Sequence, residues 1–224
     1  MQAGKPNMKL FFTEAGASYD PGIAYGPTMP SQNQLFAHAA VGVRAHIITL
    51  GAGAQVTTLF YGADYPGEVG YGSFFDLNNA QGAFGASNLS PKPEAMAFAT
   101  MTRVLDGTNT LGKVNGLPSG VFAYGFQQLG NGKVVTAAWT HSNAQWPAGG
   151  VYSQTYSTAY SLQVDNAGTS GNVTKIDGYG NTSTVPYTNG HVTLTLTEVP
   201  QYSVSNNATV AKTNTPVPVG YTGQ

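Results

Sequence analysis

The chain contains no cysteine. That excludes a disulfide framework, a cysteine-ligated zinc site and a thiol nucleophile. Charge is scarce as well. Only 8% of the 224 residues are charged, against about 25% in an ordinary soluble domain. Nine Lys and Arg against ten Asp and Glu leave a formal net charge of −1. A nucleic-acid binder needs a clustered basic surface to displace counterions, and none is present. There is no acidic tail and no run of like charges. The longest helix-like apolar stretch, Leu35 to Leu50, is interrupted by His38, Arg44 and His46. It is too short and too polar to span a bilayer. The expectation is therefore no nucleic-acid partner and no membrane partner. Nor does the chain open on a basic segment followed by an apolar one, as a secretory signal would.

What is present is 41% hydrophobic residue, enough for a sizeable core, with 29 Gly, 13 Pro and 13 Tyr. Polarity comes from Thr, Ser, Asn, Gln and Tyr. That style suits an extracytoplasmic or secreted protein. Four glycosylation-type sequons at Asn88, Asn172, Asn181 and Asn207 fit the same idea. A chain rich in Asn, Ser and Thr also generates such sequons by chance.

The character of the chain changes near residue 107. Before it, strand-like and helix-like segments alternate. Lys9 to Thr13 reads as a short apolar strand of the kind covered on both faces. After a loop marked by Asp20-Pro21-Gly22, Pro27 and Pro30, Ser31 and Gln34 stand at capping-box spacing. Leu35, Ala39, Val43, Ile47 and Leu50 then trace a helical stripe that Gly51 can close. Val56 to Tyr61 is the next strand, and a Gly-rich loop runs from Gly62 to Leu89. Ser90-Pro91-Lys92-Pro93-Glu94 opens a second helix, with Ala95, Phe98, Ala99, Thr102 and Leu105 expected on its buried side. Alternation of this kind predicts parallel strand pairing in an α/β arrangement.

Beyond residue 107 the pattern is all-β. Candidate strands are 121–127, 133–140, 151–156, 160–164, 172–176, 183–186 and 191–197. Their spacing of about 8–12 residues, with turns such as Asn189-Gly190, marks an antiparallel sandwich or barrel. From Gln201 the composition turns to Ser, Asn, Thr and Pro, which reads as an extended or disordered tail.

Glu14 is the residue that stands out. It is a carboxylate at the carboxyl end of a strand, where parallel α/β sheets and barrels place catalytic groups. On its own it could equally be a surface residue or an ion-pair partner. The context Phe-Phe-Thr-Glu14-Ala-Gly, a helix, then Thr-Thr-Leu-Phe60-Tyr61 resembles the seventh and eighth strands of clan-A glycoside hydrolases. The stretch Phe60-Tyr61-Gly-Ala-Asp64-Tyr65 through Glu68 and Gly72 to Asp76-Leu77 resembles that clan's eighth-strand loop. Ser90-Pro-Lys-Pro-Glu through Arg103 to Gly107 looks like the last barrel helix. Val164-Asp165, Asp177-Gly-Tyr-Gly-Asn181 and Leu194-Thr-Leu-Thr-Glu198-Val-Pro-Gln-Tyr202 resemble the ends of the accessory sandwich that succeeds such barrels. The resemblance covers about residues 5–202.

The resemblance implies the last two βα units of a (β/α)8 barrel followed by an antiparallel β-sandwich. Residues 1–107 would be the C-terminal part of the catalytic barrel, 108–202 the sandwich, and 203–224 the tail. It implies retaining hydrolysis of O-glycosidic bonds in a poly- or oligosaccharide, with Glu14 as nucleophile. Tyr61, Asp64 and Tyr65 would be substrate contacts. Aromatic rings bind the apolar faces of sugars, so Phe60 too could be a neighbour of the sugar or a packing residue, with burial the favoured expectation. No cofactor and no metal are implied. Retaining hydrolysis needs a second carboxyl about 5–5.5 Å away as acid/base. In the clan that glutamate follows the fourth strand, and this chain has no such strand. Glu68, Glu94 and Glu198 fall at other positions. A barrel takes about 250 residues, so the expectation is the C-terminal part of a longer enzyme. The missing barrel segment would be its partner, and the chain alone would have little activity.

Two alternatives stand beside this one. Tyr152, Tyr156 and Tyr160, with Trp139 and Trp146 nearby, could line a carbohydrate-binding face if their strand is unbroken. Composition alone would also fit a structural surface-layer protein. The cluster Asp165–Gly171 has calcium-ligand residue types but also ordinary turn chemistry. His38 and His46 share a helix eight residues apart, about 80° out of alignment, which is no zinc motif.

Overall fold

A computed structural model of the protein describes residues 9–18, 32–60, 62–63, 70–73, 91–141 and 155–205. The chain runs β1 (Phe11–Ala15), α1 (Gln32–Gly51), β2 (Val56–Leu59) and α2 (Pro93–Leu105). Among the described residues, eight strands come next: β3 (Thr108–Lys113), β4 (Val121–Gln128), β5 (Val134–Thr140), β6 (Ser157–Gln163), β7 (Gly171–Ile176), β8 (Thr182–Tyr187), β9 (His191–Thr197) and β10 (Gln201–Ser205).

The expected alternation is present, and β1 and β2 pair in parallel. The rest is antiparallel. Six strands form one sheet in the order β3-β4-β5-β10-β7-β8, and β6 pairs with β9 in a second. Asn189 and Gly190 both take positive φ, 51° and 77°. A two-residue turn of this hand requires that of both positions, and here it carries the chain from β8 in one sheet to β9 in the other.

The larger sheet is covered on both faces. On one side Val121, Ala123, Ala138 and Val173 meet Leu162, Val192, Leu194 and Leu196 of the smaller sheet. On the other, Tyr124, Phe126, Val135, Ala137, Trp139 and Tyr202 meet Ala39, Val43, Ile47, Ala97, Met101, Val104 and Leu105 of the helices. The alternate side chains of β4 and β5 thus enter different cores, as a period of two demands. β5 is consequently buried at every position.

Helices and sandwich share this core, and a buried arginine fastens them. Arg44 of α1 donates from Nε to the Glu198 carbonyl at 2.8 Å, and from Nη2 to the same oxygen. Its Nη2 also reaches the Thr140 carbonyl at 3.5 Å and lies 3.5 Å from Glu198 Oε2.

Four expectations need correction. Gln201–Ser205 is a central strand, between β5 and β7, and not the start of the tail. Tyr202 is fully buried there; its polar neighbours hid a strand that is buried on both sides. Residues 206–224 of the expected 203–224 tail lie outside the described residues. The buried side of α2 is Glu94, Ala97, Thr100, Met101, Val104 and Leu105. Of the residues expected to be buried, Ala99 and Thr102 are exposed. Small apolar residues on every side of this helix left its phase ambiguous. β3 was not anticipated; Thr, Asn and Gly dominate its sequence. Finally, β1 is not covered on both faces: Phe11 is 52% exposed and Val56, its partner on β2, 44%. Of the 151–156 strand, 151–154 lie outside the described residues. The strand expected at 160–164 begins at Ser157.

Candidate active site

The carboxyl ends of β1 and β2 hold the candidate site. The parallel ladder pairs Phe11 with Val56, Phe12 with Thr57 and Ala15 with Leu59. Two residues of β1, Thr13 and Glu14, therefore stand against Thr58 alone. A bulge of this kind bends a strand and re-aims a side chain, and bulges recur beside active sites. Glu14 is exposed, one residue before the strand ends. The pairing closes immediately beyond it, where the Phe60 N–H donates to the Ala15 carbonyl at 3.0 Å.

Gly16 makes room for the Phe60 side chain. A Cβ there would lie 2.9 Å from Phe60 Cβ, closer than carbon atoms pack. The absence of a side chain lets Phe60 pack directly on Gly16, two residues beyond Glu14. Tyr71 meets Phe60 edge-on, with ring centroids 5.4 Å apart and planes at 88°. Edge-to-face contact of this geometry is favourable in itself, by about 0.5–1.5 kcal/mol. Sequence reasoning expects Phe60 either near the sugar or, more readily, in packing, and passes over Tyr71. The spacing of eleven residues across a Gly-rich loop carries no periodic signal.

Tyr61, Asp64 and Tyr65, the expected substrate contacts, lie outside the described residues, as does Glu68. The other two described glutamates are engaged elsewhere. Glu94 Oε2 lies 2.9 Å from His38 Nδ1, with both side chains 1% exposed. Glu198 is buried beside Arg44. Glu14 is thus the exposed glutamate among the described residues.

No protein-family model and no curated protein matches the chain. Among solved structures, it is similar to a family 39 glycoside hydrolase from the gut symbiont Bacteroides cellulosilyticus WH2. The TM-score is 0.57 at 18% sequence identity, over 92% of this chain and 35% of that one. The fold is glycoside-hydrolase-like. The chain spans about a third of the length of that glycosidase.

Among the described residues of this glycosidase-like fold, the tyrosines considered for a binding face do not share one exposed side. Tyr160 lies on β6, on the inward side with Leu162, packed against the core between the sheets. Tyr156 precedes the strand, and Tyr152 and Trp146 lie outside the described residues. Trp139 is buried beneath the helices, stacked on Phe122 and Tyr124. At the Asp165 turn, the carboxylate accepts from Ala167 N at 3.0 Å, from Thr169 N at 2.9 Å and from the Thr169 hydroxyl. Both its oxygens serve the turn, which is the simpler of the two readings of that cluster.

Proposed function

We propose that this chain is the C-terminal part of a clan-A retaining glycoside hydrolase. In this reading β1 and β2 are the seventh and eighth strands of a (β/α)8 barrel. Residues 1–107 belong to the catalytic domain and the later strands form its accessory sandwich. Glu14 attacks the anomeric carbon of a poly- or oligosaccharide, and the acid/base carboxyl comes from outside this chain. The observation that carries the reading is the exposed Glu14, set by a bulge at the carboxyl end of a parallel strand pair. The glycosidase-like fold supports it.

The placement suits the chemistry. A nucleophilic carboxylate must be ionised and held rigidly, and a paired strand end provides the rigidity. The Phe60–Tyr71 pair offers apolar ring surface at the same strand ends, suited to the C–H faces of a sugar. Tyr61, Asp64 and Tyr65 are the proposed substrate contacts. A secreted location fits a polymer substrate and the low-charge, hydroxyl-rich composition.

The test uses the longer polypeptide that carries this chain and a panel of activated aryl glycosides. Turnover with retention is expected. Glu14→Gln should lower kcat by a factor on the order of 10³ or more. Glu14→Ala with added azide should release a glycosyl azide of inverted configuration. Full activity in Glu14→Gln would remove the nucleophile assignment. Robust turnover by the isolated chain would overturn the placement of the acid/base outside it.

A further inference from the structure

Helix α2 begins with two buried charged side chains that point to different neighbours. Pro91, Lys92 and Pro93 form a stiff entry. Lys92 is extended, at φ −73° and ψ 160°, the conformation a following proline favours. Two residues on, Glu94 is buried against α1, where a Cβ on Gly42 would overlap its Oε1. Its other oxygen meets His38. Glu94 thus fixes the helix start to α1. Lys92 turns the other way. Its side chain is 5% exposed, and Nζ donates to the Gly72 carbonyl at 2.5 Å.

Burying an ammonium group costs several kcal/mol unless hydrogen bonds compensate. A methionine would fill the same volume without that cost. A lysine is therefore best explained by what its donors hold. Gly72 and Ser73 are buried, and Gly70 takes φ 76°. Between them Tyr71 projects onto Phe60, whose own N–H is bonded to Ala15 and whose Cβ abuts Gly16. A continuous chain of contacts therefore runs from Lys92 through Gly72 and Tyr71 to Phe60 and the end of the Glu14 strand.

The geometry points to Lys92 as a positioning residue. It anchors the 70–73 segment and so sets the Phe60–Tyr71 ring pair against Ala15 and Gly16, where the Glu14 strand ends. In this role Lys92 acts through the rings. The value of that placement for a sugar substrate rests on the Glu14 reading above; the anchoring itself does not.

The test uses the chain labelled with 3-fluorotyrosine. The Tyr71 fluorine signal is assigned by its loss in Tyr71→Phe. Lys92→Met should shift or broaden that signal while the signals of Tyr124 and Tyr202 in the sheet stay in place. Lys92→Arg, which keeps a cationic donor, should restore it. An unchanged Tyr71 signal in a folded Lys92→Met chain overturns the proposal. Should Lys92→Met fail to fold, the wild-type chain decides by reductive methylation. Lys92 should react at least about tenfold more slowly than exposed Lys9 and Lys113, and equal rates overturn the anchor. A normal Tyr71 response together with Glu14-independent turnover of the longer polypeptide would remove the nucleophile and keep the anchor. The reverse pair of results would remove the anchor alone.

Discussion

Glu94 of α2 lies directly over Gly42 of α1, so close that a Cβ on Gly42 would overlap its Oε1. The glycine is what allows a carboxyl group into the helix interface, with His38 one turn before it meeting Glu94 Oε2 at 2.9 Å. Gly42→Ala must push Glu94 aside. Overpacking of this kind costs about 1–3 kcal/mol. Glu94→Ala removes the carboxylate that the buried His38 ring meets and is expected to cost more, about 3–5 kcal/mol, as losing one partner of a buried pair does. Urea midpoints of the two variants check both the sign and the order.

Stability should fall on acidification, from about neutral pH. His46 donates from Nδ1 to the Gly42 carbonyl at 2.8 Å, and its buried Nε2 has no hydrogen-bond partner. Burial lowers its pKa from the ordinary 6.5, against the raising effects of the Gly42 bond and of Glu94. His141 is also lowered, by burial and by Arg44, with Glu198 opposing. A histidine whose folded pKa is depressed takes up its proton more readily when unfolded. The stability is therefore intact above pH 6.5 and declines as pH falls below it towards the folded values. Denaturation midpoints between pH 8 and 5 should show this decline. His46→Gln should flatten part of it.

Helices and sandwich should unfold in one transition. The larger sheet belongs to both the sandwich core and the helix core, and the Arg44 bonds to Glu198 and Thr140 tie the helices to it. Far-ultraviolet circular dichroism and Trp139 fluorescence, recorded in a Trp146→Phe background, should give coincident curves. Arg44→Met leaves the Glu198 carboxylate buried without its cation, at a cost of about 3–5 kcal/mol. Arg44→Lys cannot reproduce the planar set of donors and should fall between. Two separated transitions in the parent chain would contradict the common core.

These contacts also show what could be read from the sequence and what could not. The stripe Ala39, Val43 and Ile47 marked the buried side of α1, and strict alternation in His191–Thr197 marked β9. Both patterns are local and periodic. β10 was invisible because a strand buried on both faces loses its alternation, and here Gln201, Ser203 and Ser205 are buried as well. Glu14 was legible as a strand-end carboxylate and through the family resemblance, but the bulge that aims it depends on register with β2. Arg44 with Glu198, 154 residues apart, and Lys92 with Gly72 are products of tertiary packing. No spacing in the sequence announces them.

The isolated chain should self-associate through the outer face of the β1–β2 pair. Purely parallel sheets occur almost only with both faces covered. Here α1 packs on this pair, while Phe11 and Val56 stand exposed as cross-strand neighbours, with Leu10 beside them at 37%. Apolar surface of this kind, on a two-stranded sheet, invites pairing with another chain. Light scattering should show a mass that rises with concentration, together with binding of a hydrophobic dye. Phe11→Ser combined with Val56→Thr removes apolar surface that buries little in the folded chain. It should lower both signals while leaving the urea midpoint within about 1 kcal/mol, as exposed substitutions generally do. A concentration-independent monomer without dye binding would show that this face is tolerated bare. The exposure of Phe11 and Val56 would then cease to argue for further barrel strands that cover it.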